Sequence, residues 1–234
     1  NGWSVTWPSA PCGAYSIDAR ATDDSGVTTR SPAITVTVDM PPVLAAIGDK
    51  AVEEMQLLSF GVKATDADGD GLTLDATGIP AGASFVDHGN DSGTFAWTPA
   101  YDDSGHYDVT FSASDGILSD DETITIAVDN VNRAPVLASI GPKSIGEGSA
   151  LSFGVSASDP DGTTPDLSAS GLPSGAGFVD NGDGTGSFSW TPGYDQAGDY
   201  DVTFTGSDGV LVDDEVVTIS VNNTNRAPVL STIG

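Results

Sequence analysis

Leu58-Ser59-Phe60-Gly61-Val62-Lys63-Ala64-Thr65 carries an apolar side chain at every second position, and the pattern returns as Leu151-Ser152-Phe153-Gly154-Val155-Ser156-Ala157-Ser158. A period of two sends successive side chains to opposite faces of an extended chain, one face buried and the other wet. An amphipathic helix would space its apolar residues by three and four instead. These stretches therefore predict equivalent strands, set 93 residues apart.

The same offset governs the surrounding sequence. Pro42-Val-Leu-Ala-Ala-Ile-Gly48 recurs as Pro135-Val-Leu-Ala-Ser-Ile-Gly141 and again as Pro228-Val-Leu-Ser-Thr-Ile-Gly234. Residues 42–134 align with 135–227 without a gap, with 54 identities in 93 positions. Gapless spacing means that loop lengths repeat along with the core, as in tandem arrays. A unit of this length can enclose its own core. Tyr107, Val109, Phe111 and Ala113 alternate again, followed by Ile124, Ile126 and Val128. Turn clusters at 66–71, 78–82, 87–93, 115–116 and 120–121 separate the runs. About seven short strands with turns at this spacing predict a β-sandwich. Gly105-His106-Tyr107 and Gly198-Asp199-Tyr200 stand where a tyrosine corner would pin a late strand. Trp97 and Trp190 close apolar strands and are expected in the core.

Residues 1–40 match the end of such a unit: Tyr15 precedes Asp23 by eight, as Tyr107 precedes Asp115, and Ala33–Val38 reads as a closing strand. The expected organisation is the last part of a domain (1–40), two complete repeats (41–133 and 134–226) and the first strand of another (227–234). The chain is accordingly expected to be a piece of a longer protein.

Composition narrows the function. Of 34 acidic residues 29 are Asp, against 7 basic residues, for a formal charge of -27. No basic surface exists for phosphates, so nucleic acid is excluded as a partner. No apolar run is long enough to span a membrane as a helix. Cys12 is the only cysteine, which excludes an internal disulfide. Its Pro11-Cys12-Gly13 setting reads as a turn. His88 and His106 become Asn181 and Asp199 in the second repeat. The well-placed acids recur in both repeats, whereas a catalytic cleft is single. No enzyme activity is expected.

Several motifs together carry a resemblance: Asp66-Ala-Asp68-Gly, Phe-Ala-Trp97-Thr-Pro, Gly-x-Tyr107, Ser-Asp115-Gly and Asn130-Val-Asn132-Arg-Ala-Pro. The second repeat offers Asp159-Pro-Asp161-Gly, Trp190-Thr-Pro, Gly-x-Tyr200, Asp208-Gly and Asn223-Thr-Asn225-Arg-Ala-Pro. Residues 42–234 resemble the dystroglycan-type cadherin-like and bacterial immunoglobulin-like modules found in tandem on bacterial surface proteins. Residues 1–40 are similar to the end of another bacterial immunoglobulin-like domain. The resemblance implies all-β, Greek-key sandwiches in an elongated array. It also implies an extracellular or cell-surface setting, since such modules also stand beside the catalytic domains of secreted polysaccharide-degrading enzymes.

The patterned acids fit calcium, which takes 6–8 oxygens from carboxylates, amides, carbonyls and water. Asp66-Ala-Asp68-Gly-Asp70-Gly71 opens like an EF-hand loop, but Thr77 stands where the closing Glu belongs. The cadherin-like resemblance implies ligands at module junctions instead. Near residue 130 these are Glu54, Asp102, Asp129, Asn130 and Asn132 with Asp159, Asp161 and Asp208. Near residue 40 they are Asp39, Asp66, Asp68 and Asp115. Glu147, Asp195, Asn223 and Asn225 would serve a following module. Two departures from the cadherin pattern are Arg133 in the linker and Met40-Pro41-Pro42 at the first junction. Asp and Asn also favour turns through their own hydrogen bonds, which is the expectation for 87–93 and 180–186.

The expected function is a calcium-rigidified structural or adhesive stalk whose partners are calcium ions and neighbouring repeats. The alternatives are a polysaccharide-binding accessory module, a surface that binds another surface protein, and a filament subunit. Sugar binding would need exposed aromatic faces, for which Trp3, Trp7, Tyr101 and Tyr194 are the candidates.

Overall fold

The computed structural model describes Trp7 and residues 10–229. The chain forms two compact units, 1–131 and 132–234. No helix occurs among the described residues, and the class is all-β.

The first unit opens with a small pair of ladders. β1 (Gly13–Ile17) pairs antiparallel with β4 (Ile34–Val38), and β2 (Arg20–Thr22) with β3 (Thr28–Arg30). Tyr15 donates its hydroxyl to the Pro11 carbonyl at 2.8 Å. Asp23 closes the β2–β3 turn by accepting the Ser25 and Val27 N–H groups.

The first repeat follows as β5 (Val43–Leu44), β6 (Lys50–Glu53), β7 (Leu58–Thr65), β8 (Thr73–Thr77), β9 (Ser84–Asp87), β10 (Ser92–Trp97), β11 (Gly105–Ser114) and β12 (Ser119–Asp129). One sheet has the order β5-β7-β10-β9 and the other β6-β12-β11-β8. The strand expected at the start of the unit is thus split between the sheets, with β6 running parallel to β12. Gly48 supplies the positive φ of 65° at the crossing. Glu122 takes the half-buried Ile47 N–H and the exposed Gly48 N–H at 2.8 and 2.9 Å, and Lys50 donates to the Ile47 and Gly48 carbonyls. This clamp uses two of the repeat's charged residues structurally.

The alternating residues fill the space between the sheets. Val62, Phe95, Trp97, Val109, Phe111, Ile124 and Ile126 are all at most 2% exposed. Full burial of such side chains contributes about 1.5–3 kcal/mol each. Phe60 stacks on Phe95 at 5.1 Å, and both meet Phe111 edge-on.

The second unit repeats this with β13 (Val136–Leu137), β14 (Lys143–Gly146), β15 (Leu151–Ser158), β16 (Asp166–Ser170), β17 (Gly177–Asp180), β18 (Thr185–Trp190), β19 (Gly198–Ser207) and β20 (Val212–Asn222). Its sheets are β13-β15-β18-β17 and β14-β20-β19-β16. Glu215 and Lys143 rebuild the clamp at Ile140 and Gly141.

Both full repeats contain the expected tyrosine corner: Tyr107 donates to the Asp103 carbonyl and Tyr200 to that of Gln196. Each ring meets its tryptophan edge-on, Trp97 at 4.9 Å and Trp190 at 5.0 Å. The two indoles differ in one respect. Trp190 Nε1 donates to the Ser174 carbonyl, whereas the buried Trp97 Nε1 has no partner. Pro228 and Val229 carry no strand, and the rest of the segment expected to begin a further repeat lies outside the described residues, as does Trp3.

Candidate metal site

At the entrance to the first repeat, three loops bring carboxylates together. Asp39 follows β4, Asp66, Asp68 and Asp70 lie between β7 and β8, and Asp115 lies in the turn between β11 and β12. Local backbone chemistry shapes each loop. Asp66 Oδ1 accepts the N–H groups of Asp68 and Gly69 at 2.7 and 3.0 Å, which curls the loop. Asp115 Oδ1 accepts those of Ile117 and Leu118, both at 2.7 Å, which closes the hairpin. Asp68 Oδ2 accepts the Met40 N–H at 2.8 Å and so ties the incoming chain to the loop.

One oxygen of each turn-forming acid is spent on the backbone. The second oxygens of Asp66 and Asp115 are not, and with Asp39 Oδ2 they are sealed from solvent without a hydrogen-bond donor among the described residues. Asp39, Asp68 and Asp70 each place a ligand oxygen within 4.8 Å of the others. Like charges so close, partly removed from water, disfavour the ionised form. Asp39 is pushed above the usual carboxylate range by burial first, then by the charges of Asp115, Asp70, Asp68 and Asp66. Asp68 is held below that range by a hydrogen bond from the Cys12 thiol and then by the Met40 N–H. The same bond to Asp68 pushes the Cys12 thiol up.

These oxygens fit a hard divalent cation. They are carboxylate in type, of mixed exposure, and three lack a donor among the described residues. Asp70 is absent from the ligand set read from sequence, although the alternating Asp66-x-Asp68-x-Asp70 spacing signalled it. The Pro11-Cys12-Gly13 turn gives no sign in sequence that its thiol meets Asp68.

The ligands expected near residue 130 occupy different settings. Glu54 is fully buried, its Oε1 accepting the Ser104 N–H at 3.0 Å and its Oε2 the Val131 N–H at 2.9 Å. Asp129 ends β12, and its carbonyl accepts the Glu54 N–H. Asp102 and Asn130 are exposed in loops. Glu147 repeats the Glu54 arrangement with Ala197 and Thr224.

Within the second unit, Asp159 Oδ1 curls its loop onto the Asp161 N–H, as Asp66 does. Asp161, however, is held by Arg133, whose Nε donates to Oδ1 at 2.8 Å and whose backbone N–H donates to Oδ2 at 2.5 Å. Those two bonds, backbone first, hold Asp161 below the usual carboxylate range. Asp208 Oδ1 closes its turn on Val210 and Leu211, while Oδ2 accepts the Asn132 side-chain amide at 2.9 Å. Asp208 lies low as well, chiefly through the Leu211 and Val210 N–H groups. Asp159 Oδ2 remains sealed and without a donor.

Other acids do structural work. Asp87 joins the Gly89 N–H to the Leu74 N–H at the start of β8, and Asp180 does the same with Gly182 and Leu167. The described aromatic candidates are partly exposed, Trp7 and Tyr101 among them. Tyr194 is 49% exposed, but the Arg226 guanidinium lies 4.2 Å over its ring. Its phenol end abuts Gly148, where an added Cβ would meet the hydroxyl oxygen at 2.7 Å. Trp7 packs edge-on against Tyr15 at 4.4 Å.

The fold and its repeat agree with comparison to known proteins. The family described as "Putative Ig domain" (He_PIG) matches residues 41–129 and again 134–223, and the chain belongs to that family. A chitinase A of Pseudoalteromonas piscicida is 30% identical over 123 residues, covering 52% of this chain. The match takes in 15% of the chitinase. A three-Ig segment of titin matches with 13% identity and a TM-score of 0.45, covering 90% of this chain and 75% of that one. An endo-fucoidan hydrolase of glycoside hydrolase family 107 matches with 22% identity and a TM-score of 0.37, covering 92% and 35%. No helix among the described residues is long and apolar enough to cross a membrane.

Proposed function

We propose that this chain is a non-catalytic, extracellular spacer segment of a larger protein, stiffened by calcium where the chain enters the first repeat. Asp39, Asp66, Asp68, Asp70 and Asp115 would hold the ion. Bound there, calcium supplies the positive charge that the clustered carboxylates lack. The residues themselves tie three segments together: the end of β4, the loop after β7 and the turn after β11. The observation that carries this reading is the set of three solvent-sealed carboxylate oxygens with no donor.

The likeness to a chitinase supports a place beside the catalytic part of a secreted polysaccharide-degrading enzyme. The Arg226 guanidinium over the Tyr194 ring supports a spacer over a sugar-binding platform, since it occupies a face that a sugar would stack on.

Calorimetric titration and melting of the chain with calcium test the assignment. Calcium should bind and raise the melting temperature by mass action. Magnesium should do less, because it tolerates irregular oxygen cages poorly. Replacing both Asp66 and Asp68 by Ala should remove the effect. Equal stabilisation by sodium chloride alone would reduce it to screening of the charge and sink the assignment.

A further inference from the structure

We propose that Arg133 is the built-in cation of the second repeat, standing in for the calcium ion that the first repeat takes. The proposal rests on the calcium reading of the first entrance, and its test is arranged so that the two can fail separately.

The 93-residue register makes the comparison position by position. Asp66, Asp68 and Asp115 correspond to Asp159, Asp161 and Asp208, so these three carboxylates are retained. The other members change, each in the direction of less negative charge. Asp39 becomes Asn132, Asp70 becomes Thr163, and Met40 becomes Arg133. Five carboxylates beside an uncharged Met40 thus become three carboxylates beside a guanidinium.

The geometry shows what each change does. Met40 offers Asp68 only its backbone N–H. Arg133 gives Asp161 the same backbone bond and adds Nε, while its Nη2 donates to the Pro160 carbonyl. The ion pair is sheltered: the Asp161 side chain is 6% exposed and that of Arg133 is 25%. The rigid, charged guanidinium thus serves a carboxylate and a backbone carbonyl at once, which no uncharged side chain matches. Asn132 completes the exchange. Asp115 Oδ2 is sealed and without a donor, whereas the corresponding Asp208 Oδ2 receives the Asn132 amide. An acceptor in the first entrance has become a donor in the second. Three orphaned oxygens in the first repeat fall to one, Asp159 Oδ2, in the second.

The dipeptide ahead of the first strand therefore decides what each repeat needs. Asp39-Met40 calls for an external cation, and Asn132-Arg133 carries its own. A chain of such repeats can mix calcium-dependent and calcium-independent entrances by changing a few residues.

The test is calcium titration of the full chain by calorimetry, with amide hydrogen exchange in chelator as a second readout. The parent should show a calcium-binding event that D66A/D68A removes and D161A leaves in place. Rewriting the first entrance as the second, with D39N/M40R, should weaken that event by roughly tenfold or more, about 1.4 kcal/mol. Rewriting the second as the first, with N132D/R133M/T163D, should add a binding event. If that variant folds and takes up no more calcium than the parent, while the parent's own event persists, the inference is overturned and the calcium reading stands. If the parent binds no calcium, the calcium reading falls. Arg133 is then judged by exchange: R133M should accelerate it at 132–137 and 159–163, and R133K should recover only part of the protection. Unchanged exchange in R133M would overturn the role of the guanidinium, and full recovery by R133K would overturn the need for its divided donors.

Discussion

The buried carboxylate of Glu54 accepts the backbone N–H of Val131 at 2.9 Å through one oxygen and that of Ser104 at 3.0 Å through the other. One side chain thereby fastens the loop before β11 and the segment after β12 to the start of the repeat. Glu147 does the same with Ala197 and Thr224. Glu54→Ala would leave two sheltered donors unmatched and should destabilise the first repeat by about 2–5 kcal/mol in chelator. Glu54→Gln keeps an acceptor for one of them and should cost less. Melting both variants in chelator separates this clamp from any part in ion binding, because a purely ligating Glu54 would leave the chelator melting temperature unchanged.

Asp39 carries an unfavourable charge in the absence of a cation, since burial and four neighbouring carboxylates oppose its ionisation. Asp39→Asn should therefore raise the melting temperature in chelator while reducing the shift that calcium produces. A variant less stable than the parent in chelator would show that Asp39 is held by attractive contacts.

Gly93 lies on β10 beneath the ring of Phe85, where an added Cβ would sit 2.5 Å from Cζ and 3.0 Å from the Val86 carbonyl. The ring and the β9–β10 ladder would have to separate. Gly93→Ala should cost about 1–3 kcal/mol, the usual range for overpacking. Chemical denaturation measures it, and a loss below about 0.5 kcal/mol would mean that the ring moves freely, as at ordinary surface positions.

Asp87 is held below the usual carboxylate value of 3.8 by the Gly89 and then the Leu74 N–H groups. A depressed folded-state pKa adds stability that is present above the unfolded value and is lost as the folded form takes up a proton. The contribution of Asp87 should thus be intact above pH 3.8 and fall away below it. Asp87→Asn should lower stability at neutral pH and flatten the acid limb of the stability curve. An acid limb identical to the parent's would remove Asp87 from that account.

Much of this molecule was legible in the chain itself. The alternation through Leu58–Thr65 and Tyr107–Ala113 encodes which face is buried, because a strand's side-chain period is a local property. The gapless repeat required equivalent loops, and Tyr107 and Tyr200 marked corners that formed four residues from their acceptors. The division of the first strand was not legible, because it depends on Glu122 and Glu215, each some 75 residues away, catching the N–H groups at the crossing. The roles of the acids were also not legible. Asp68 and Asp161 are the same residue in the same motif, yet one faces Asp39 and Asp70 while the other faces Arg133. A carboxylate becomes a clamp, a turn or a candidate cation ligand according to the donors and charges that folding brings within a few ångströms of it. Sequence placed those groups in order along the chain; only the tertiary structure placed them side by side.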